Sequence, residues 1–334
     1  MEQFDYLKSI GFYTLEDNRA RLVNRNARLW RCELLLTSRC NFKCPYCRGL
    51  KEGRRWESSW EDAAKTVRLW ASDGLKNIRF SGGEPTLWKG LGDLVSLSVA
   101  HGVEKVAIST NGSAHLDYYK RLIDSGVNDF SISLDSCCAP TGEKMAGRAG
   151  AWDLVVSNIS ELSKFTYVTI GVVITDDNIN EVNGIISLAE DIGVDDVRII
   201  PAAQTSKILK SLYYGSIMFP ILTYRLKNFT SGRSVRGISI SDNHQCPLVL
   251  DDMAVVNNKH YPCIIYLREG GDHIGTVGDN MRTERAGWYL DHDSYKDDIC
   301  RNNCLDVCVD YNNRVRDINK TLRNKETGGI ECQT

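Results

Sequence analysis

The sequence predicts an α/β fold in which helices cover a largely parallel sheet. Three observations predict it. Apolar strand-like runs alternate six times with helix-period segments between residues 32 and 204. Several of those runs are continuously apolar, as strands become when helices cover a parallel sheet. Polar, glycine-rich clusters (SGGEP, STNG, SLDS) recur just past the strand ends, where parallel α/β folds bind ligands.

The elements follow in order. Residues 32–37, CELLLT, read as a buried strand ending at a cysteine group, and a helix follows over Trp60–Ser72. KNIRFSGGEP is a strand plus glycine turn, followed by a helix over residues 87–101. KVAISTNG and NDFSISLD are strands, with the helix of HLDYYKRLIDSG between them. AWDLVVSNISELS is a helix, FTYVTIGVVIT a strand, and INEVNGIISLAEDIG a helix stopped by glycine. DDVRIIPAA is the sixth strand. The expected divisions are an N-terminal extension (1–31), a partial barrel (32–204), a linker or helical segment (205–240), a small cysteine-stapled domain (241–312) and a charged tail or helix (313–334). The segment after Cys246 has too little apolar periodicity to bury a core of its own, so a metal staple is expected there.

Apolar residues at 42% and charged residues at 25% exclude a mainly disordered or collagen-like chain. A net charge of −2 argues against a chain built to grip nucleic acid. Arg19, Arg21, Arg25, Arg28 and Arg31 nevertheless form a local basic patch, read as a solvated face or a phosphate contact. The first residues carry no basic-then-apolar leader, and no run approaches a membrane span, so a cytoplasmic protein without a membrane is expected.

The 12 cysteines carry the chemistry. In a reducing compartment, clustered cysteines point to metal or redox sites before disulfides. Cys40, Cys44 and Cys47 have gaps of three and two residues. Three thiolates on one loop hold three irons of a cubane and leave the fourth iron open, whereas structural zinc wants four ligands.

That CxxxCxxC loop, with Tyr46 just before its last cysteine, resembles the radical S-adenosylmethionine (SAM) enzymes. So do Gly82-Gly83-Glu84-Pro85, the TNG at 110–112, the SLD at 133–135 and the segment 147–152, in which Ala149 stands where the family usually has glycine. The resemblance implies a partial (β/α)6 TIM-like barrel and a [4Fe-4S] cluster whose open iron is chelated by SAM. It implies SAM contacts from Tyr46, Gly82, Gly83, Glu84, Ser109, Asn111, Ser133 and Asp135. It also implies reductive cleavage of SAM to a 5′-deoxyadenosyl radical, with the electron delivered by a reductant such as flavodoxin or ferredoxin.

Cys246, Cys263 and Cys300 with Cys304, or with Cys308 as its rival, resemble the ligands of the Twitch or SPASM-like extensions that hold one auxiliary [4Fe-4S] cluster. Such a cluster is expected to handle the substrate electron. Cys137 and Cys138, just past the fourth strand, are candidate hydrogen donors facing the cavity. A donor just after the YPC cysteine is not available, because Ile264 stands there. His260 and His273 are candidate bases, with Asp251, Asp252 and Asp272 comparable. The expected function is oxidation or rearrangement of a peptide or natural-product precursor. The alternatives are a dehydrogenase or epimerase of a small polar molecule (a sugar, aminocyclitol or nucleotide) and modification of RNA or a protein residue.

Overall fold

The computed structural model describes residues 17–48, 55–202 and 219–327. The first part of the expected linker segment (205–218), the end of the charged tail and Cys332 lie outside them. After a short helix α1 (Asp17–Leu22), strands and helices alternate: β1 (Arg31–Thr37), α2 (Trp60–Ser72), β2 (Asn77–Gly82), α3 (Leu91–Ala100), β3 (Lys105–Thr110), α4 (Leu116–Asp124) and β4 (Asp129–Ser133). Then come α5 (Ala139–Ala146), α6 (Ala151–Leu162), β5 (Tyr167–Ile174), α7 (Val182–Ile192) and β6 (Asp196–Pro201). All neighbouring pairs from β1 to β6 are parallel.

Each element has a local reason. Along β1 every residue from Cys32 to Thr37 is buried, because the inner and outer faces of this strand are both covered. The side chain of Ser59 caps α2 by accepting from the Asp62 N–H at 3.0 Å. Helix α7 ends on Gly193 at φ +78°, the left-handed position that the sequence pattern anticipates. The sheet and its helices share one apolar core that includes Leu34, Val67, Trp70, Phe80, Ile108, Phe130 and Ile170.

The C-terminal part continues the barrel sheet. It comprises α8 (Pro220–Thr230), β7 (Asp252–Val256), β8 (Lys259–Tyr261), α9 (Ile264–Arg268), β9 (Gly275–Thr276), α10 (Met281–Asp291), α11 (Asp298–Asn303) and α12 (Asp306–Thr327). A small cluster-stapled domain following the barrel is expected, and its strand β7 joins the barrel sheet itself. It pairs in parallel with β1, from Arg31 opposite Asp252 to Leu35 opposite Val256. With antiparallel β8 and β9 the sheet reaches nine strands, in the order β6-β5-β4-β3-β2-β1-β7-β8-β9. Met253 and Val255 enter the barrel's own core, so the segment buries apolar surface by sharing it.

Buried polar groups bolt this extension on. Arg285 is buried and donates to the carbonyls of Val249 at 2.8 Å and Tyr261 at 3.0 Å. Two of the five basic-patch arginines serve the same purpose, which corrects their reading as a uniformly solvated face. Arg19 donates to Asp251 at 2.8 Å and lies 4.6 Å over the Trp30 ring, and Arg31 donates to Asp252 at 2.6 Å. Arg21 and Arg25 are exposed. No helix among the described residues is long and apolar enough to cross a membrane.

Asp306 joins α8 to α12: it accepts from Arg225 at 2.5 Å and Asn228 at 2.6 Å, and all three are buried. Asp306→Ala leaves a buried guanidinium without its carboxylate and is expected to cost about 3–5 kcal/mol, read as a lower urea midpoint. Replacing Arg225 and Asp306 together by leucine is expected to recover most of that loss. Equal loss in single and double variants contradicts this role.

Candidate active site and cluster-binding regions

The loop bearing Cys40, Cys44 and Cys47 leaves the carboxyl end of β1, and backbone holds it from two sides. On one side, the Gly83 N–H donates to Thr37 O at 2.6 Å and the Glu84 N–H to Arg39 O at 2.8 Å. A Cβ on Gly82 would lie 2.3 Å from Thr37 O, and one on Gly83 would lie 2.3 Å from Arg39 O. Only glycine permits so close an approach of two backbones. On the other side, the Lys43 N–H donates to Ala146 O at 2.9 Å, and a Cβ on Gly147 would lie 2.5 Å from Lys43 O. Arg148 sits 5.7 Å over the Phe42 ring. The segment singled out at 147–152 is thus the far jaw of the clamp.

The strand-end motifs then lock to one another. Glu84 is buried, and both of its oxygens are engaged. One accepts from Thr86 Oγ1 at 2.6 Å and Thr110 Oγ1 at 2.7 Å, and the other from the Asn111 N–H at 2.7 Å. Burial pushes its carboxyl up, and these hydrogen bonds act against that rise. The Asn111 side-chain amide donates to Asn41 at 2.8 Å and reaches Cys40 Sγ at 3.7 Å. The Tyr46 hydroxyl donates to Asp135, which also accepts from the Val173 N–H at 2.7 Å. Burial pushes Asp135 up to about 6. So GGE, TNG and SLD each fasten the cysteine loop to a different strand end.

These elements enclose a cavity of about 380 Å³. Tyr46, Gly83, Ser109, Asn111, Ser133 and Asp135 line it, beside the three cysteines. Gly82 and Glu84 do not line it: Gly82 is pressed on Thr37 and Glu84 is spent on the strand ends, so both act as positioning residues. The thiols of Cys40 and Cys44 are pushed up by burial, Cys44 to about 12, and the neighbouring Cys47 adds to the rise in each. Among the described lining residues there is no fourth cysteine and no histidine. Three thiols held on one loop fit an iron–sulfur cube with one iron left for SAM.

The cavity also carries basic groups that no sequence motif marks. Arg48, Arg79, Arg198, Arg236 and Arg268 line it, against the carboxylates of Glu33 and Asp135. Arg79 donates to Asp129 at 2.9 Å and Ser109 at 3.0 Å. Arg198 donates to Ser131 at 3.1 Å, and Arg48 pairs with Glu269; among the described residues, Arg198 Nε and Arg48 Nη2 are buried with no hydrogen-bond partner. Burial and then the neighbouring Arg79 lower Arg198 to about 10, and burial and then Arg48 lower Arg236 to about 10. Ile264, Ile265 and Leu305 of the C-terminal part also line the cavity, and Ile264 stands where a donor cysteine is sought in the sequence.

The second cysteine group converges as well. Cys246 and Cys263 are pushed up by burial, and both feel Cys308. Cys300 is pushed up by burial and then by Cys246 and Cys263. Cys304 is raised by its hydrogen bond with Cys308 and then by burial. Asn312 donates to Cys246 Sγ at 3.4 Å, and the Tyr266 N–H to Cys263 Sγ at 3.4 Å. Five thiols therefore fit one auxiliary cluster with one sulfur to spare, and both Cys304 and Cys308 are at hand.

The candidate donors and bases are placed elsewhere. Cys137 and Cys138 are expected at the cavity but do not line it; they turn toward Glu181, because Ser133 to Asp135 form the wall and the chain then bends away. His260 is buried between Glu284 at 2.8 Å and Arg285 at 3.2 Å, and burial lowers it to about 4. It is a structural link and not a base at the cavity. His273 is exposed beside Tyr261. Asp251 and Asp252 serve Arg19 and Arg31, and Asp272 is exposed.

Gly83→Ala is expected to displace the Arg39 backbone, so the protein folds but loses the iron of one cluster and its SAM binding. Gly287→Ala, where a Cβ meets nothing within 4 Å, is the matched control and is expected to keep both. Iron quantification and SAM binding check this, and full iron with normal SAM affinity in Gly83→Ala contradicts it.

Comparisons with known proteins agree with this arrangement. The family model described as the radical SAM superfamily matches residues 34–189. The GTP 3′,8-cyclase of Alkaliphilus metalliredigens is 30% identical over 280 residues, covering 73% of this chain and 87% of that protein. The molybdenum cofactor biosynthesis protein moc-5 of Caenorhabditis elegans is 34% identical over 169 residues, 48% of this chain and 28% of that one. The probable GTP 3′,8-cyclase of Metallosphaera sedula is 29% identical over 171 residues, 49% and 53% of the two chains. The chain thus spans about a quarter to a half of the length of these last two relatives. Among solved structures, Streptococcus suis SuiB bound to S-adenosylmethionine has a TM-score of 0.59 at 15% identity, over 79% of this chain and 66% of that one. Native anSMEcpe with bound AdoMet has a TM-score of 0.58 at 16% identity, over 89% and 99%. The clamped three-cysteine loop, the cavity at the strand ends and these matches together show that the chain belongs to the radical SAM superfamily.

Proposed function

We propose that this radical SAM enzyme acts on a small polyanion, a nucleoside triphosphate being the class that fits best. The observation that carries the reading is the set of five arginines that line the cavity beside the cluster loop, in a chain whose net charge is −2. Arg79 pairs with Asp129, Arg48 with Glu269 and Arg268 with Glu33, whereas Arg198 and Arg236 bond only hydroxyl and carbonyl oxygens among the described residues, so their charge favours a guest with anionic oxygens. Arg198 Nε and Arg48 Nη2, buried and without a hydrogen-bond partner among the described residues, can donate to those oxygens. The sequence relatives named for GTP 3′,8-cyclisation support a nucleotide. This reading takes the small-molecule alternative over the peptide precursor that ranks first from sequence. A peptide is the second reading. A solved structure of similar fold is SuiB bound to the precursor peptide SuiA, at 14% identity and a TM-score of 0.58.

When bound and reduced, the cluster and SAM supply a carbon radical able to abstract hydrogen from an unactivated C–H bond. The chain's own residues do the rest. The arginines fix the phosphates at one end and so aim the sugar or base toward the cysteine loop. Tyr46 and Asp135 hold the loop against β4. Ile264, Ile265 and Leu305 line the cavity with apolar side chains and exclude water from a site where a radical would otherwise be quenched. Cys246, Cys263, Cys300 and Cys304 or Cys308 would hold an auxiliary cluster, which would supply electron transfer, and a flavodoxin- or ferredoxin-type protein would be the electron source.

GTP is expected to bind the cluster-loaded protein far more tightly than guanosine does. Arg198→Ala and Arg268→Ala are each expected to weaken GTP by about 10- to 100-fold, the effect of losing a hydrogen bond to a charged group. Affinity is also expected to fall with added salt. Titration calorimetry at two ionic strengths checks this. Equal affinity for GTP and guanosine, or variants that bind GTP as the parent does, removes the reading.

A further inference from the structure

A second set of ligand groups lies outside the cavity. Cys137 and Cys138 follow β4, and Glu181 directly precedes α7. Their ligand atoms all lie within 4.8 Å of one another. One carboxylate oxygen, Glu181 Oε2, is 3.5 Å from Cys137 Sγ and 3.7 Å from Cys138 Sγ. Bonds of roughly 2.3 Å to sulfur and 2.0 Å to oxygen at tetrahedral angles separate a sulfur and an oxygen ligand on zinc by about 3.5 Å. The two spacings therefore match two edges of a zinc tetrahedron.

The surroundings are built around that oxygen. Buried Ser136 donates its hydroxyl to Glu181 Oε2 at 2.6 Å, and the Cys137 N–H does so at 3.3 Å, which fixes the carboxylate's orientation. Helix α7 carries Gly184 where a Cβ would lie 2.7 Å from Cys137 Sγ. Glycine inside a helix is costly, and here it makes room for a sulfur. Two thiolates and one carboxylate suit zinc and do not suit magnesium or calcium, which prefer oxygen alone.

We propose that Cys137, Cys138 and Glu181 bind one zinc ion, with solvent in the fourth position. Binding releases the two thiol protons. The ion ties the turn after β4 to the head of α7, groups 44 residues apart in sequence. That turn begins at Asp135, whose side chain accepts from Tyr46 and whose carbonyl accepts from Asn178 at 2.7 Å. The zinc therefore braces the cavity wall from behind, and it takes no part in the radical chemistry. The assignment stands whether or not the substrate is a nucleotide.

The test uses protein purified anaerobically with its iron–sulfur clusters loaded, so that the cluster cysteines are occupied. Zinc sulfate is titrated in competition with a chromophoric chelator, and thiol alkylation by iodoacetamide is read by mass spectrometry. One equivalent of zinc is expected to bind and to shield Cys137 and Cys138 from alkylation. Glu181→Gln and Cys138→Ala are each expected to weaken zinc at least about tenfold, with iron content and circular dichroism unchanged. No bound zinc in the parent protein, equal zinc in the variants, or alkylation of both thiols unaffected by zinc overturns the proposal.

Discussion

Two backbone contacts set the geometry on which the rest of the molecule depends. The Gly82–Gly83 end of β2 lies against Thr37 and Arg39, and Gly147 lies against Lys43. Between these jaws the cysteine loop has no freedom to choose its path. A cube bound to a floating loop would present its open iron in many orientations, and a reactive carbon radical tolerates few of them. Main-chain contacts through glycine are stiffer than side-chain contacts, because no rotamer can relax them. Glu84 then spreads the constraint, tying the β2 end to Thr110 and Asn111 at the β3 end.

The clamp explains one wall of the cavity, and the extension of the sheet explains the other. Because β7 pairs with β1, the C-terminal chain is delivered to the mouth of the barrel, where Ile264, Ile265, Arg268 and Leu305 enter the cavity. Arg79 and Arg198 come from barrel strands β2 and β6, with Arg236 and Arg268 arriving from the other side. Neither part makes the basic wall alone. The converging C-terminal thiols lie within this same continuous body, so an auxiliary cluster there staples a segment that already shares the barrel's core.

What the sequence makes legible follows from how local each signal is. The cysteine loop, the glycine turns and the helix of Trp60–Ser72 are short-range patterns, and they stand where the sequence puts them. The pairing of β7 with β1 joins residues more than two hundred positions apart, and no local pattern announces it. Arg79 and Arg198 sit in strands that read as apolar runs with an incidental charge. Only closure toward a barrel turns those charges inward, because the interior face of a partial barrel is the cavity. His260 misleads for the opposite reason: a histidine beside a cluster cysteine suggests chemistry, yet burial and its Glu284 and Arg285 partners make it a fixed strut. Cys137 and Cys138 are correctly placed at a strand end, but side-chain direction past the strand is not encoded in spacing, and they face α7.

The most direct test of the central claim is deuterium transfer under anaerobic reduction. Cluster-loaded protein, SAM and GTP deuterated on its ribose are reduced together, and 5′-deoxyadenosine is collected. The account predicts that GTP raises 5′-deoxyadenosine formation by about tenfold or more over SAM alone and that the product carries deuterium from the ribose. Formation unchanged by GTP, with no deuterium in the product and stimulation instead by an uncharged peptide, contradicts it.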